Sequence, residues 1–237
     1  MNRKLAAPVV NAVVLRAAAT LDGPRLETLL WRRAKGPEAD CWSLPGGFVR
    51  DGESLDGAMR RHLLEKVGVS AVGHVEQLDT TSQADTHPEL WLLDITHLAL
   101  IAAGTEPELP PDTSWHPVDG LPSIAFGHAD AVARAHDRLR GKLSYSNVAF
   151  ALTPHRFTVR ELAGVYEAVL GYPVDATNLR RVLERDQLIE PTGERRSTGG
   201  RPAEEFEFVT RELVVSRPLA AFRAPRGARG RASAPSA

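Results

Sequence analysis

The chain has 237 residues, 43% hydrophobic and 25% charged, the composition of an ordinary globular protein and not of a disordered or membrane-embedded one. Its length exceeds the roughly 100 to 150 residues of a typical domain, so a main domain and a smaller one are expected. The net charge of -1 hides an asymmetry: residues 1–143 hold 15 Lys/Arg against 19 Asp/Glu, and residues 144–237 hold 14 Arg against 11 Asp/Glu, which directs any polyanionic partner to the C-terminal part.

Pro8 to Ala19 and Arg25 to Arg33 are two β-like runs separated by a Gly/Pro turn, and read as a hairpin. Trp42 to Gly47 is a short strand running into a glycine turn. Ser54 then caps a helix in which Leu55, Met59, Leu63 and Val67 recur every four residues, and Gly68 ends it. Val75 to Ser82 and Leu90 to Ile101 are further strands, and Trp115 to Val118 follows a proline-marked connection, giving a mixed α/β domain that ends near residue 127. Ala129 to Arg140 is a helix, Gly141-Lys142 a joint, and Tyr145 to Leu152 a shorter helix. Thr158 caps Val159 to Leu170, Asp175 caps a helix to Gln187, and the strand-like runs Leu188 to Thr192 and Glu205 to Phe208 follow. The domain limits expected are 1–142, 143–215 and a basic disordered tail from 216 to 237, whose arginines either touch phosphates or are merely solvated.

Arg3 and Lys4 precede a short alternating run with no small-residue cleavage site, and no apolar stretch reaches the 18 or so residues of a membrane span. A cytoplasmic protein without membrane attachment is expected. The single Cys41 fits a reducing compartment and reads as a bland, partly buried thiol, since no cysteine-nucleophile signature surrounds it. The eight histidines show no metal-ligand spacing, with His128 and His136 too far apart along one helix to share an ion.

The segment Gly47 to Val69, GFVRDGESLDGAMRRHLLEKVGV, carries the chemistry. Gly47, Glu53, Arg61, Leu63, Glu65, Gly68 and Val69 fall into register with the pattern of the Nudix hydrolases, on a turn and helix preceded by SLPGG. The segment therefore resembles a Nudix box. Diphosphate cleavage needs Mg²⁺ or Mn²⁺, and such hard cations need clustered carboxylates, which helical spacing supplies at positions 62, 65 and 66. This chain presents His62, Glu65 and Lys66 there. The local charge falls from about -3 to zero, and an ammonium stands where a cation ligand belongs, so no metal, no cofactor and no catalytic residue are expected. Arg61 can pair with Glu65 at i,i+4, which would hold the helix on its loop. Lys66 or His62 either faces a ligand diphosphate in place of the lost cation or is a surface residue of an amphipathic helix.

In DATNLRRVLERDQ, residues 175–187, Leu179, Val182 and Leu183 form one apolar stripe and leave Asn178, Arg181 and Arg185 on another face. Arginine can grip guanine and asparagine adenine in the major groove, so Asn178 and Arg181 are candidates for base contact. Arg195, Arg196 and Arg201 lie on a Gly-rich turn that looks like a wing, able to reach phosphate or the minor groove.

WSLPGGF, FTVRELAGVYEAVLG, the NLRRVL helix and the GRPA turn together resemble the Nudix-related transcriptional regulators, from about residue 9 to 209. The resemblance implies an α/β Nudix-like mixed sheet with helices, followed by a mostly helical winged helix-turn-helix. It implies further a homodimer that represses genes of NAD metabolism at palindromic double-stranded operators, and a domain that senses ADP-ribose or a related nucleotide. By the same resemblance Glu53, Arg61 and Glu65 align with the effector region, and Asn178, Arg180 and Arg181 with the operator-reading helix. The family often has an Arg-rich loop where this chain has TTSQADTHPE, without an arginine. The alternative is an active Nudix hydrolase of a nucleoside diphosphate derivative.

Overall fold

The computed structural model describes residues 4–83, 89–197 and 202–216. Arg201, the middle of the TTSQADTHPE loop and the tail from 217 onward lie outside the described residues.

One long strand organises the fold. β1 (Leu5–Thr20) pairs antiparallel with β2 (Gly23–Arg32) through its C-terminal half, antiparallel with β4 (Gly46–Phe48) through its N-terminal half, and parallel with β6 (Leu90–Leu100) along its length. β5 (His74–Gln83) continues the sheet beyond β6, and β3 (Trp42–Ser43) and β7 (Thr113–Pro117) both pair with β2. Side chains alternate across a strand, so Val10, Ala12 and Val14 face one side of the sheet and Val13, Leu15 and Ala17 the other. Both sets are buried, because both faces are covered.

On the first face lies α1 (Leu55–Val67), whose Met59, Leu63 and Val67 pack with Val10, Ala12 and Val14. Its ends are as the sequence indicates. Ser54 Oγ accepts from the Gly57 amide at 3.1 Å, and Gly68 adopts the left-handed φ of 68° that closes the helix.

The second face carries α2 (His128–Leu143) and α3 (Val159–Leu170), and here the two parts of the chain share a core. Leu15, Leu30 and Leu98 of the sheet, Leu139 of α2, and Leu162 and Tyr166 of α3 belong to one buried cluster, which continues to Leu183 of α4 (Ala176–Arg185) and Phe206 of β10 (Ala203–Phe208). His136 of α2 meets the Val169 carbonyl of α3 at 2.7 Å. Arg134 with Asp79, and Arg138 and Lys142 with Glu76, tie the other side of α2 to β5.

The C-terminal part is less helical than the sequence suggests. β8 (Phe157–Thr158), β10 and β9 (Ile189–Arg196) form a three-stranded sheet beside α3 and α4. β8 escapes notice in the sequence because two residues show no period. The helix expected over Tyr145 to Leu152 shrinks to a single 3-10 turn, Val148–Ala151. Side chains there satisfy backbone groups that a helix would have used or ordered otherwise. Ser146 Oγ donates to the Lys142 carbonyl at 2.7 Å, while Asn147 donates to the Glu212 carbonyl and accepts from the Val214 amide, fastening the segment after β10 to the joint. No helix among the described residues is long and apolar enough to cross a membrane.

Candidate functional site

A cleft of about 390 Å³ opens where β1, β4 and β6 meet the start of α2, within the size range of small-molecule sites. Trp31, Arg33, Phe48, Lys66, Asp94 and His128 are among the residues on its walls. Two glycines shape it. A Cβ on Gly46 would stand 2.2 Å from the Val10 carbonyl oxygen, and one on Gly47 would stand 2.6 Å from the His62 ring, so only glycine lets the loop lie this close to β1 and α1.

Of the five residues singled out in the box, Lys66 lines the cleft. Its ammonium donates to the Gly46 carbonyl and lies 4.4 Å over the Trp31 ring. Burial pushes its pKa down, with Arg33 and Arg61 adding repulsion. His62 sits behind Gly47 and is buried, its Nε2 at 3.1 Å from the Phe48 carbonyl, a contact that places the ring proton on Nε2. Glu53, Arg61 and Glu65 form a chain of ion pairs outside the cleft walls. Arg61 donates twice to the Glu53 carboxylate at 2.7 Å and once to the Phe48 carbonyl at 3.2 Å, and lies 3.5 Å from Glu65, which also faces Arg50 at 3.7 Å. The Arg61 hydrogen bond, helped by the Arg50 amide, holds the Glu53 carboxyl down to about 2.

This donor set does not suit the divalent metal of Nudix chemistry. Glu53 and Glu65 are turned to Arg61, position 62 is a buried imidazole, and position 66 brings positive charge to the place where a cation would bind. What the arrangement can do is hold the loop rigid and offer Lys66, with Arg33 nearby, to an anion.

The floor of the cleft holds residues that sequence reasoning passed over: Asn11, Ser43, Asp94 and His128, all buried. Asp94 was visible only as a break in an apolar run, and His128 only as a histidine without metal spacing. The signal that could have found Asp94 is a carboxylate within a strand otherwise fit for burial on both faces.

Burial pushes the pKa of His62, His97 and His116 below the ordinary 6.5, in each case as the largest cause. The unfolded chain then binds protons at higher pH than the folded one, so this stability is complete above about 6.5 and is lost as pH falls through the lower folded values. Thermal unfolding between pH 7.5 and 5 will show a falling midpoint. A flat profile would contradict the burial of these rings.

The second candidate surface is α4 with the β9–β10 hairpin. Asp175 Oδ1 caps α4 through the Asn178 amide at 2.6 Å, and Leu179, Val182 and Leu183 bury one side. Arg181 is exposed and donates to the Asn178 side chain at 2.8 Å, so the two share the outward face. Arg180 is engaged elsewhere: it pairs with Glu184 at 3.0 Å and Glu204 at 2.9 Å and covers the Phe206 ring at 4.7 Å, bracing the helix on the hairpin. Arg185 pairs with Asp186 at 2.9 Å, Arg196 with Glu161 at 2.6 Å, and exposed Arg195 donates to the Pro202 carbonyl.

Residues 9–135 match the NUDIX domain family, and residues 149–208 match the NrtR DNA-binding winged helix domain family. A curated relative, the ADPR responsive transcriptional repressor NtrR of Acinetobacter baylyi, is 29% identical over 206 residues, which are 84% of this chain and 82% of that protein. The crystal structure of Shewanella oneidensis NrtR complexed with a 27mer DNA superposes with a TM-score of 0.70 at 30% identity, covering 84% of this chain and 92% of that one. The structure of Shewanella oneidensis NrtR gives a TM-score of 0.72 at 31% identity, with 85% and 93% covered.

Proposed function

The chain belongs to the Nudix family in its NrtR-like form, a Nudix domain joined to a DNA-binding winged helix, and from that premise we propose a transcriptional repressor whose non-catalytic Nudix domain senses ADP-ribose. Residues 1–142 serve as the sensor and 143–215 as the DNA-binding part, and the working form is a cytoplasmic homodimer on a palindromic operator of NAD-metabolism genes. The observation that carries the reading is Lys66, an ammonium bonded to the loop carbonyl inside the cleft where a hydrolase needs a carboxylate. With Arg33 beside it, Lys66 receives the ligand diphosphate, while His62, Glu53, Arg61 and Glu65 hold the loop in shape. Ligand binding shifts the population away from the DNA-competent dimer.

Fluorescence anisotropy of the full chain tests this against DNA from upstream of its own gene and of NAD-metabolism genes, beside a scrambled duplex. The expected preference is about a thousandfold at physiological salt, reduced by ADP-ribose. Equal weak binding to all duplexes would refute the reading. ADP-ribose incubated with Mg²⁺ or Mn²⁺ will remain intact, and turnover would restore the hydrolase reading.

Lys66→Glu will lower ADP-ribose affinity by roughly tenfold to a hundredfold, the span of one hydrogen bond to a charged group. Calorimetry measures it, and unchanged affinity would place the phosphates elsewhere.

A further inference from the structure

The cleft has two chemically distinct ends. Lys66 and Arg33 make one end cationic, and the other is a buried polar floor centred on Asp94. A carboxylate 8% exposed is costly to keep unless its oxygens are bonded or a ligand uses them. Asn11 donates to Asp94 Oδ1 at 2.8 Å. Oδ2 faces His128 Nε2 at 3.7 Å, beyond a hydrogen bond, while His128 Nδ1 lies 3.5 Å from Ser43 Oγ. The carboxylate is thus oriented by one oxygen and keeps acceptor capacity on the other, on the wall of a cleft.

We infer that Asp94, positioned by Asn11 and His128, binds the hydroxyl groups of the sugar that lies beyond the diphosphate, so that the cleft selects a nucleoside diphosphate sugar over the nucleoside diphosphate alone. This rests on the cleft being the effector site. A carboxylate accepts hydrogen bonds and cannot receive phosphate, so it repels the anionic part of the ligand and sets its direction in the cleft. Phosphates belong at the Lys66 end. Phe48, 53% exposed at the rim, offers a flat apolar ring suited to a purine, which leaves the buried floor to the sugar. Polar sites of this kind discriminate strongly against ligands that lack the matching hydroxyl, because the buried acceptor is then left unsatisfied. The position of His128 adds a consequence: it is the first residue of α2, so the floor that meets the sugar is built partly from the helix that carries His136 to α3.

Calorimetry on the full-length protein tests the inference with three ligands: ADP-ribose, ADP, and an ADP-ribose analogue whose terminal sugar lacks its hydroxyls. Asp94→Asn keeps the shape and the acceptor that Asn11 uses. Its ADP-ribose affinity will fall about tenfold to a hundredfold, with ADP affinity changed less than twofold. The wild-type protein will show a similar loss for the analogue, and Asp94→Asn will lose little further with it, closing the cycle between carboxylate and hydroxyls. The analogue comparison on the wild type does not depend on the variant folding. Equal losses for ADP and ADP-ribose, or none for either, would overturn the role of Asp94 while leaving the effector site standing. If the wild type bound none of the three ligands, the effector reading would fall and this inference with it.

Discussion

Arg181→Ala will abolish most sequence-specific DNA binding while leaving the fold intact. Arg181 is exposed on α4, and its described partner is the neighbouring Asn178, which it meets across one helical turn. Removing an exposed side chain of this kind changes stability within about ±0.5 kcal/mol. A bidentate base contact is worth about 1 to 3 kcal/mol per site, so each half-site of a palindrome loses tenfold to more than a hundredfold. The loss will appear against the operator and hardly at all against a scrambled duplex. Arg195→Ala, on the hairpin, will instead weaken both duplexes alike and flatten the salt dependence, as loss of a phosphate contact does. Anisotropy titrations at two salt concentrations separate these cases, and an Arg181→Ala protein with wild-type operator affinity would show that α4 does not read bases. Arg180→Ala serves as a contrast. Its links to Glu184, Glu204 and the Phe206 ring hold the hairpin to the helix, so its effect should include a lowered unfolding midpoint.

Leu162→Ala will destabilise both parts of the chain together. Leu162 is fully buried on α3, within the cluster that joins the sheet residues Leu15, Leu30 and Leu98 to α2, α3 and α4. Emptying such a site costs about 2 to 5 kcal/mol, a large share of the 5 to 15 kcal/mol that holds a typical domain. Because the cavity opens in a shared core, calorimetry will show one transition moved to lower temperature. Two resolved transitions, with only the smaller displaced, would mean that the winged helix unfolds by itself. The same continuity gives a ligand in the Nudix cleft a physical route to the DNA-binding helices, since α2 begins at the cleft floor and packs on α3.

Much of this was legible residue by residue. Ser54, Gly68, Thr158, Gly171 and Asp175 mark helix ends by local chemistry, and the structure finds caps at each of them. The replacements at 62 and 66 are visible from helical spacing alone. Tyr145 to Leu152 misled because its apolar pattern suits a helix, whereas the bonds of Ser146 and Asn147 to distant backbone groups hold it as a short turn. His62 and Lys66 look equivalent on a helical wheel, but one is closed behind Gly47 and the other lies over Trp31 in the cleft, a difference set by the loop that crosses α1.

Local pattern therefore settled the order of elements, the family resemblance and the loss of the acidic cluster, all of which depend on neighbours within a few turns or strands. Contacts across the fold decided the rest. Which arginines on α4 are free, that Asp94 and His128 meet at the bottom of a cleft, and that the two parts share one core follow from residues tens of positions apart brought within hydrogen-bond or van der Waals distance. Such pairings leave no periodic trace in the chain, because the energy that selects them comes from burying both partners at once.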